Sequence, residues 1–162
     1  MLNPNTPLAA IEALPLAAAM RHSLWLYPIV EIIHILGFVV LAGSVAMLDL
    51  RLLGLSKTIP VTALARHILP WTLGALLLVL PSGLLMFIAH ASDFISNPAF
   101  ITKLTLLSLA AGNALWFHLG PYQSVGTWQT KLSPPIAAKA SAALSLLLWL
   151  GVICCGRLLA YF

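Results

Sequence analysis

Four histidines lie inside or at the edges of the long apolar stretches of this 162-residue chain. They are His34, His67, His90 and His118. An ionisable side chain in an apolar, membrane-like segment is costly, so such a residue is by default a candidate for function. Imidazole is a common ligand of haem iron and of other metals, and it also gains and loses protons near neutral pH. Metal or haem binding and proton transfer are therefore the chemistries that these residues suggest.

The order of the histidines along the apolar stretches predicts two pairs. If the first and third stretches cross a membrane in one direction and the others return, His34 and His90 lie near one surface and His67 and His118 near the other. Two imidazoles from facing helices can bind a haem iron from both faces of the porphyrin. The sequence therefore predicts His34 and His90 as the axial ligands of a haem b.

A second haem at the opposite surface is less compatible with the helix geometry. His67 and His90 are about 34 Å apart along one helix, which is the whole thickness of a bilayer. One haem is therefore preferred to two, and His67 and His118 are kept as secondary candidates. Arg66, next to His67, is a candidate partner for haem propionates, and so are the basic residues expected near the other pair, Arg21 and Lys103.

Glu31 and His34 share one face of the first helix because they are three positions apart. A carboxylate there can hydrogen-bond a ligand histidine and fix its tautomer, or join it in a proton-handling or metal site. The alternative is that Glu31 reaches water or Arg21. Asn113 in the third stretch is interpreted as an interhelical hydrogen-bonding residue.

The composition indicates a membrane protein: 61% of the residues are hydrophobic and 7% are charged, against about 25% charged in a soluble domain. The net charge is +4, but the basic residues form no run, which argues against a nucleic-acid partner. Nucleophile, phosphate-loop and zinc motifs are missing, so an electron-transfer or accessory subunit is preferred to a stand-alone enzyme. Cys154 and Cys155 are interpreted as small, buried apolar residues.

The sequence predicts an all-α, integral membrane four-helix bundle behind an N-terminal interfacial segment, residues 1–27. A helix predicted from Thr6 to Ser23 is too interrupted by polar residues and Pro15 to cross a membrane. Each later stretch is long enough for a hydrocarbon core about 30 Å thick. The predicted spans of the bundle, residues 28–162, are about 28–54, 60–91, 98–119 and 134–161.

The basic residues predict the orientation. Five of the eight lie near the two connections at one end of the bundle: Arg51, Lys57, Arg66, Lys131 and Lys139. Arg21, Lys103 and Arg157 lie towards the other end. The positive-inside rule then predicts that both termini lie outside, in the periplasm if the cell is Gram-negative. The lipid bilayer is the expected surrounding, and the candidate partners are other membrane subunits or a periplasmic redox protein.

Short motifs in a fixed order connect the chain to a known group of proteins. They are Tyr27-Pro28, Glu31-x-x-His34-x-x-Gly37, Asp49-x-Arg51-x-x-Gly54, Leu69-Pro70-Trp71, Ser82-Gly83, Asn97-Pro98-x-Phe100-x-x-Lys103 and Asn113-x-x-x-Phe117-His118. This order resembles a family of short bacterial four-span membrane proteins of unknown function. The resemblance covers residues 25–118 and implies the architecture and the inner-membrane setting, but no activity. The layout is also loosely similar to membrane b-type cytochromes and copper-resistance membrane proteins.

Three functional hypotheses follow. The first is a membrane-embedded haem b protein or electron-transfer subunit with His34 and His90 as ligands. The second is a cofactor-free accessory subunit of a larger membrane complex. The third is a small metal or proton carrier that uses Glu31, His34 and Asn113.

Overall fold

The computed structural model of the protein describes residues 7–129 and 133–161. It begins with two short helices, α1 (Pro7–Glu12) and α2 (Pro15–His22). The sequence predicted one helix from Thr6 to Ser23, but Pro15 cannot donate a backbone hydrogen bond and starts a new helix instead. Thr6 itself lies outside the described residues.

Four long helices follow, each long and apolar enough to cross a membrane. They are α3 (Leu26–Leu53), α4 (Val61–Ala89), α6 (Pro98–Leu119) and α8 (Ile136–Leu158), with the short α5 (Ala91–Ser96), a 3₁₀ helix (Pro121–Ser124) and α7 (Val125–Trp128) in the connections. No strand occurs within residues 7–129 or 133–161. The all-α, four-span membrane fold is therefore confirmed. The bounds of α6 agree with the prediction, whereas α4 ends at Ala89 and α8 is shorter than predicted at both ends.

Helix α3 is central to the packing: it lies against α4 on one side and against α8 on another, and α6 packs against α8. Glycines allow the close contacts, as is usual where lipid provides no hydrophobic drive between helices. A Cβ added at Gly37 of α3 would lie 2.9 Å from Val79 Cγ2 of α4, and one at Gly151 of α8 would lie 2.9 Å from Leu106 Cδ1 of α6. The backbones of α4 and α6 approach each other much less closely.

The two ends of the bundle are closed differently. At the end where α3 begins, which we call the terminal end, α2 packs through Met20 against Val30 and Ala89. Arg21 donates there to the carbonyls of Ala89 (2.8 Å) and Glu12 (2.6 Å). The opposite end, which we call the loop end, carries a second apolar cluster. Its buried members are Leu52, Val61, Phe117, Trp128, Ala138 and Ala142.

Arg51 ties the loop end together. Its buried guanidinium donates to the backbone carbonyls of Ile59 (2.6 Å), Lys57 (3.1 Å) and Gln129 (2.8 Å). Arg51 is one of the basic residues from which the orientation was predicted. In the structure it is a buried structural residue that joins two connecting segments.

Candidate functional site

His34 lies half-buried on α3 and faces α4. Its Nδ1 is 3.2 Å from the carbonyl oxygen of Val79 and 3.0 Å from the hydroxyl oxygen of Ser82. A carbonyl can only accept, and the Ser82 hydroxyl lies 2.5 Å from the carbonyl oxygen of Leu78, to which it donates. Nδ1 must therefore carry the ring hydrogen and donate it, and Nε2 is left with a free lone pair.

Gly83 makes room for this ring. A Cβ added at Gly83 would lie 3.0 Å from Cε1 of His34 and 3.4 Å from its Nδ1. The imidazole therefore packs directly on the α4 backbone at this position. Both residues of the Ser82-Gly83 motif therefore serve the His34 ring. Ser82 accepts a hydrogen bond from it, and Gly83 leaves space for it.

Lys103 brings α6 into the same region of the bundle. It is half-buried, its charge acts on His34, and it interacts electrostatically with Cys155 of α8. Within the described ranges, no carboxylate pairs with the Lys103 ammonium. We call His34, Ser82, Lys103 and Cys155 the His34 cluster; each of the four long helices contributes one member.

The two adjacent cysteines differ in environment. Cys155 is buried, as the sequence predicted, but Cys154 is exposed on the outer face of α8. The prediction for Cys154 is therefore wrong, because neighbouring residues of a helix point about 100° apart and only one of them can face the bundle.

His90 occupies a different site. It lies at the break between α4 and α5, where its ring meets Tyr27 edge-on with 5.7 Å between centroids, and its Nδ1 is 3.6 Å from Asp93 Oδ2. Tyr27 is two helical turns from His34, so the levels of His90 and His34 differ by about 10 Å. Two imidazoles on one metal ion are about 4 Å apart, since each metal–nitrogen bond is about 2 Å. The structure does not bring this predicted pair together.

The remaining predicted residues lie outside the bundle interior. His118 is exposed, with its Nδ1 2.8 Å from the carbonyl oxygen of Ala114. His67 and Arg66 are exposed on α4, and neither contacts His118 in the described part of the chain. Glu31 is also exposed, and the partners of the His34 Nδ1 are Val79 and Ser82 instead. No group of three or more His, Cys, Asp or Glu side chains is placed to hold a metal ion among residues 7–129 and 133–161.

Asn113 forms hydrogen bonds between helices, as the sequence predicted. Its Nδ2 donates to the carbonyl of Ser141 (3.0 Å), and its Oδ1 accepts from the Ser141 hydroxyl (3.0 Å). The prediction of an interhelical hydrogen bond is confirmed, here between α6 and α8.

Asp49 is a polar residue that sequence reasoning missed. Asp49 lies inside the predicted first span, residues 28–54, where it was given no functional role, and in the structure its side chain on α3 is only 6% exposed. Ser145 of α8 lies within hydrogen-bonding reach of the carboxyl group, and Oδ2 has no partner among the described residues. The available signal was Gly54, a typical helix C-terminal glycine, which places Asp49 a full turn before the end.

Comparison with known proteins gives a family. A family described as a family of unknown function (DUF6644) matches residues 26–162, which is most of the chain, and the chain belongs to it. No curated protein and no solved structure matches the chain. The family description gives no activity.

Proposed function

We propose that this member of the family of unknown function is a membrane-embedded haem b protein or electron-transfer subunit, with His34 as a ligand of the iron. One observation supports this: the Nδ1 of His34 is held by α4, and its Nε2 makes no hydrogen bond to any described residue. Histidines that bind metals usually donate their other N–H to a carbonyl or similar acceptor, which fixes the tautomer and the ring orientation. A bound haem would supply one-electron chemistry.

Lys103 supports the same proposal. A half-buried ammonium group in an apolar bundle needs an anionic partner, and none of the described carboxylates pairs with it. A haem propionate is such an anion. In the proposed complex, Lys103 of α6 binds a propionate while His34 of α3 binds the iron.

The proposal departs from the sequence-based hypothesis in the number of histidines. His34 can occupy one axial position of the haem iron. His90 cannot occupy the other, because it lies about 10 Å away along the bundle axis. We therefore assign one histidine ligand to the iron. His90, His67, His118, Arg66 and Glu31 have no part in holding the haem in this proposal.

Haem content of histidine variants tests the assignment. His34→Ala should lose haem from the purified protein, measured after extraction and normalised to protein. His90→Ala, His67→Ala and His118→Ala should each keep the wild-type amount, and His118→Ala is the matched control because its ring is exposed. A His34→Ala protein that keeps its haem would remove the basis of the proposal. A colourless wild-type protein with normal helicity would instead favour a cofactor-free accessory subunit of a larger complex.

We also propose a bacterial inner-membrane location with periplasmic termini. Arg51 and Lys103 are used inside the protein, and Lys131 lies outside the described residues. Of the other basic residues, Lys57, Arg66 and Lys139 lie towards the loop end, and Arg21 and Arg157 towards the terminal end. The loop end therefore still carries more of these basic residues than the terminal end. By the positive-inside rule, the proposed orientation has the loop end in the cytoplasm. A reporter enzyme that is active only in the periplasm should be active when fused after the last residue. Other membrane subunits or a periplasmic redox protein are the proposed partners.

Asp49 favours a second candidate function, that of a small proton or metal carrier. A buried carboxyl group within a span, with one oxygen unpartnered among the described residues, is a typical feature of ion and proton pathways. Asp49→Asn should then abolish proton or metal flux into vesicles that contain the purified protein, and Asp93→Asn at the exposed terminal end should not. Equal flux in vesicles with and without the protein would exclude this candidate.

A further inference from the structure

A cavity of about 370 Å³ opens at the terminal end of the bundle. It lies where α3 begins, where α4 gives way to α5, and where α8 ends, at the depth of a membrane interface. Its lining residues are Tyr27, His90, Asp93, Phe94, Ser96, Asn97 and Leu159. The volume falls within the range of about 300–1,000 Å³ that small-molecule sites occupy.

Two aromatic side chains and several polar groups line the cavity, and its lining is more polar than apolar. The rings of Tyr27 and Phe94 are among its walls, and His90 and Asp93 lie beside them. Neither the Tyr27 hydroxyl nor the His90 ring makes a hydrogen bond to another group in the described part of the chain. The Nδ1 of the His90 ring is 3.6 Å from Oδ2 of Asp93, whose side chain is largely exposed.

An aromatic cluster leads from this cavity into the bundle. Phe94 lies against Phe100 of α6 (5.0 Å between centroids) and stacks with Phe87 of α4 (6.5 Å), and Phe87 stacks on Phe100 (5.8 Å). Gly83 and Lys103 lie about one helical turn further along α4 and α6. Packed aromatic rings thus join the cavity to the His34 cluster. These rings lie between α4 and α6, whose backbones are far apart.

We propose that this cavity binds the ring of a membrane quinol, the electron donor for the haem protein proposed above. A quinol ring is flat and aromatic, which suits walls of Tyr27 and Phe94. Its hydroxyl group can donate a hydrogen bond to the free ring nitrogen of His90, and its isoprenoid tail can remain in the surrounding lipid. This inference rests on the proposed function, because it gives that function its substrate class.

The electron balance of the reaction is simple. Oxidation of a quinol to a quinone releases two electrons and two protons. A bound haem would accept one electron, so one quinol would supply two haem-containing protein molecules. Both protons pass to water at the membrane surface, the first along the hydrogen bond to the His90 ring.

Reduction of the haem in the purified, oxidised protein by decylubiquinol tests the complete proposal. We expect the wild type to be reduced with a saturating dependence on quinol. His90→Ala and Asp93→Asn should be reduced about tenfold more slowly, the loss expected from one hydrogen bond or charge pair, with unchanged haem content. His118→Ala, an exposed residue at the other end of α6, should match the wild type. Equal rates in His90→Ala and the wild type would overturn the proposal.

A second measurement does not need the haem. Decylubiquinone should quench the tryptophan fluorescence of His34→Ala saturably, because Trp25 lies two residues before the cavity residue Tyr27. The quenching should weaken about tenfold in affinity when His90→Ala is added, since one hydrogen bond is then lost. Quenching that does not saturate, or that ignores His90→Ala, would overturn the cavity assignment. If the wild type binds no haem, the proposed function fails while this measurement still decides on the cavity.

Discussion

The imidazole of His34 and the hydroxyl group of Ser82 lie 3.0 Å apart, Nδ1 to Oγ, across the contact between α3 and α4. The hydroxyl hydrogen of Ser82 is already directed at a carbonyl of its own helix. The pair therefore sets the tautomer of His34 and leaves Nε2 available. The His118 Nδ1 also lies close to a carbonyl, but that carbonyl belongs to its own helix and the ring is exposed, whereas His34 is half-buried and held by a neighbouring helix.

Gly83→Ala should disturb the proposed haem site without unfolding the protein. The new methyl group would lie 3.0 Å from Cε1 of His34, so the ring must move by a few tenths of an ångström. We expect haem affinity to fall about tenfold, the lower end of what a displaced ligand orientation costs. The matched control is Gly74→Ala on the same helix, where a Cβ meets nothing within 4 Å. Haem titration of both purified variants checks this, and equal affinities would contradict it.

Gly37→Ala should weaken the contact between α3 and α4. A Cβ there would lie 2.9 Å from Val79 Cγ2 and 3.3 Å from the carbonyl oxygen of Ala75, and backbone cannot yield as a flexible side chain can. Overpacking of this kind costs about 1–3 kcal/mol. The unfolding midpoint in detergent should fall for Gly37→Ala and stay near the wild-type value for Gly43→Ala, whose added Cβ meets nothing within 4 Å. A wild-type midpoint for Gly37→Ala would show that the two helices are not packed this closely.

Arg51→Met should destabilise the loop end. The substitution removes three hydrogen bonds to backbone carbonyls and leaves those carbonyls in a buried region. We expect a loss of about 3 kcal/mol, since hydrogen bonds from charged groups contribute about 1.5–3 kcal/mol each and the carbonyls regain some bonds to water. Arg66→Met, at an exposed position, should change stability by less than about 0.5 kcal/mol. Chemical unfolding of the two variants in detergent separates them; similar losses would contradict the account of Arg51.

Acidification should release α1 from α5. The backbone N–H of Ser92 donates to Glu12 Oε1 at 2.7 Å, and this bond holds the pKa of Glu12 below its ordinary value of 4.5. The stabilisation by Glu12 is therefore fully present above pH 4.5 and is lost as the pH falls through the lowered pKa. Proteolysis within residues 7–12 by an acid-stable protease should increase over that acidic range. In Glu12→Gln the same segment should be cleaved readily at all pH values; a pH dependence that persists in this variant would exclude Glu12 as its cause.

The four spans could be predicted from the sequence because lipid leaves few options. A backbone without water must satisfy its own hydrogen bonds, so a long apolar stretch has to be helical. The bounds of α6 were correct because Asn97 and Pro98 form a local start signal, and the Asn97 side chain does accept from the backbone N–H of Ala99 at 2.9 Å. Helix-start signals of this kind involve residues that are close together in the sequence, so they can be recognised without the structure.

The arrangement of the site could not be read in this way. The pairing of His34 with His90 assumed that two histidines near one surface lie at one level, but the register of α3 against α4 separates them by two turns. Ser82 contacts His34 only because α4 packs against α3, and Lys103 acts on His34 through its charge from another helix, α6. No local pattern encodes either relationship. The burial of Asp49 depends in the same way on α8.

The measurement that tests the central claim most directly is electron paramagnetic resonance of the oxidised, purified protein, compared between the wild type and His90→Ala. If His34 is the one histidine ligand, the two proteins give the same ferric haem signal, and neither shows the low-spin pattern of two imidazoles on one iron. A bis-imidazole signal in the wild type that disappears in His90→Ala would contradict the account, and so would a wild-type protein without any haem signal.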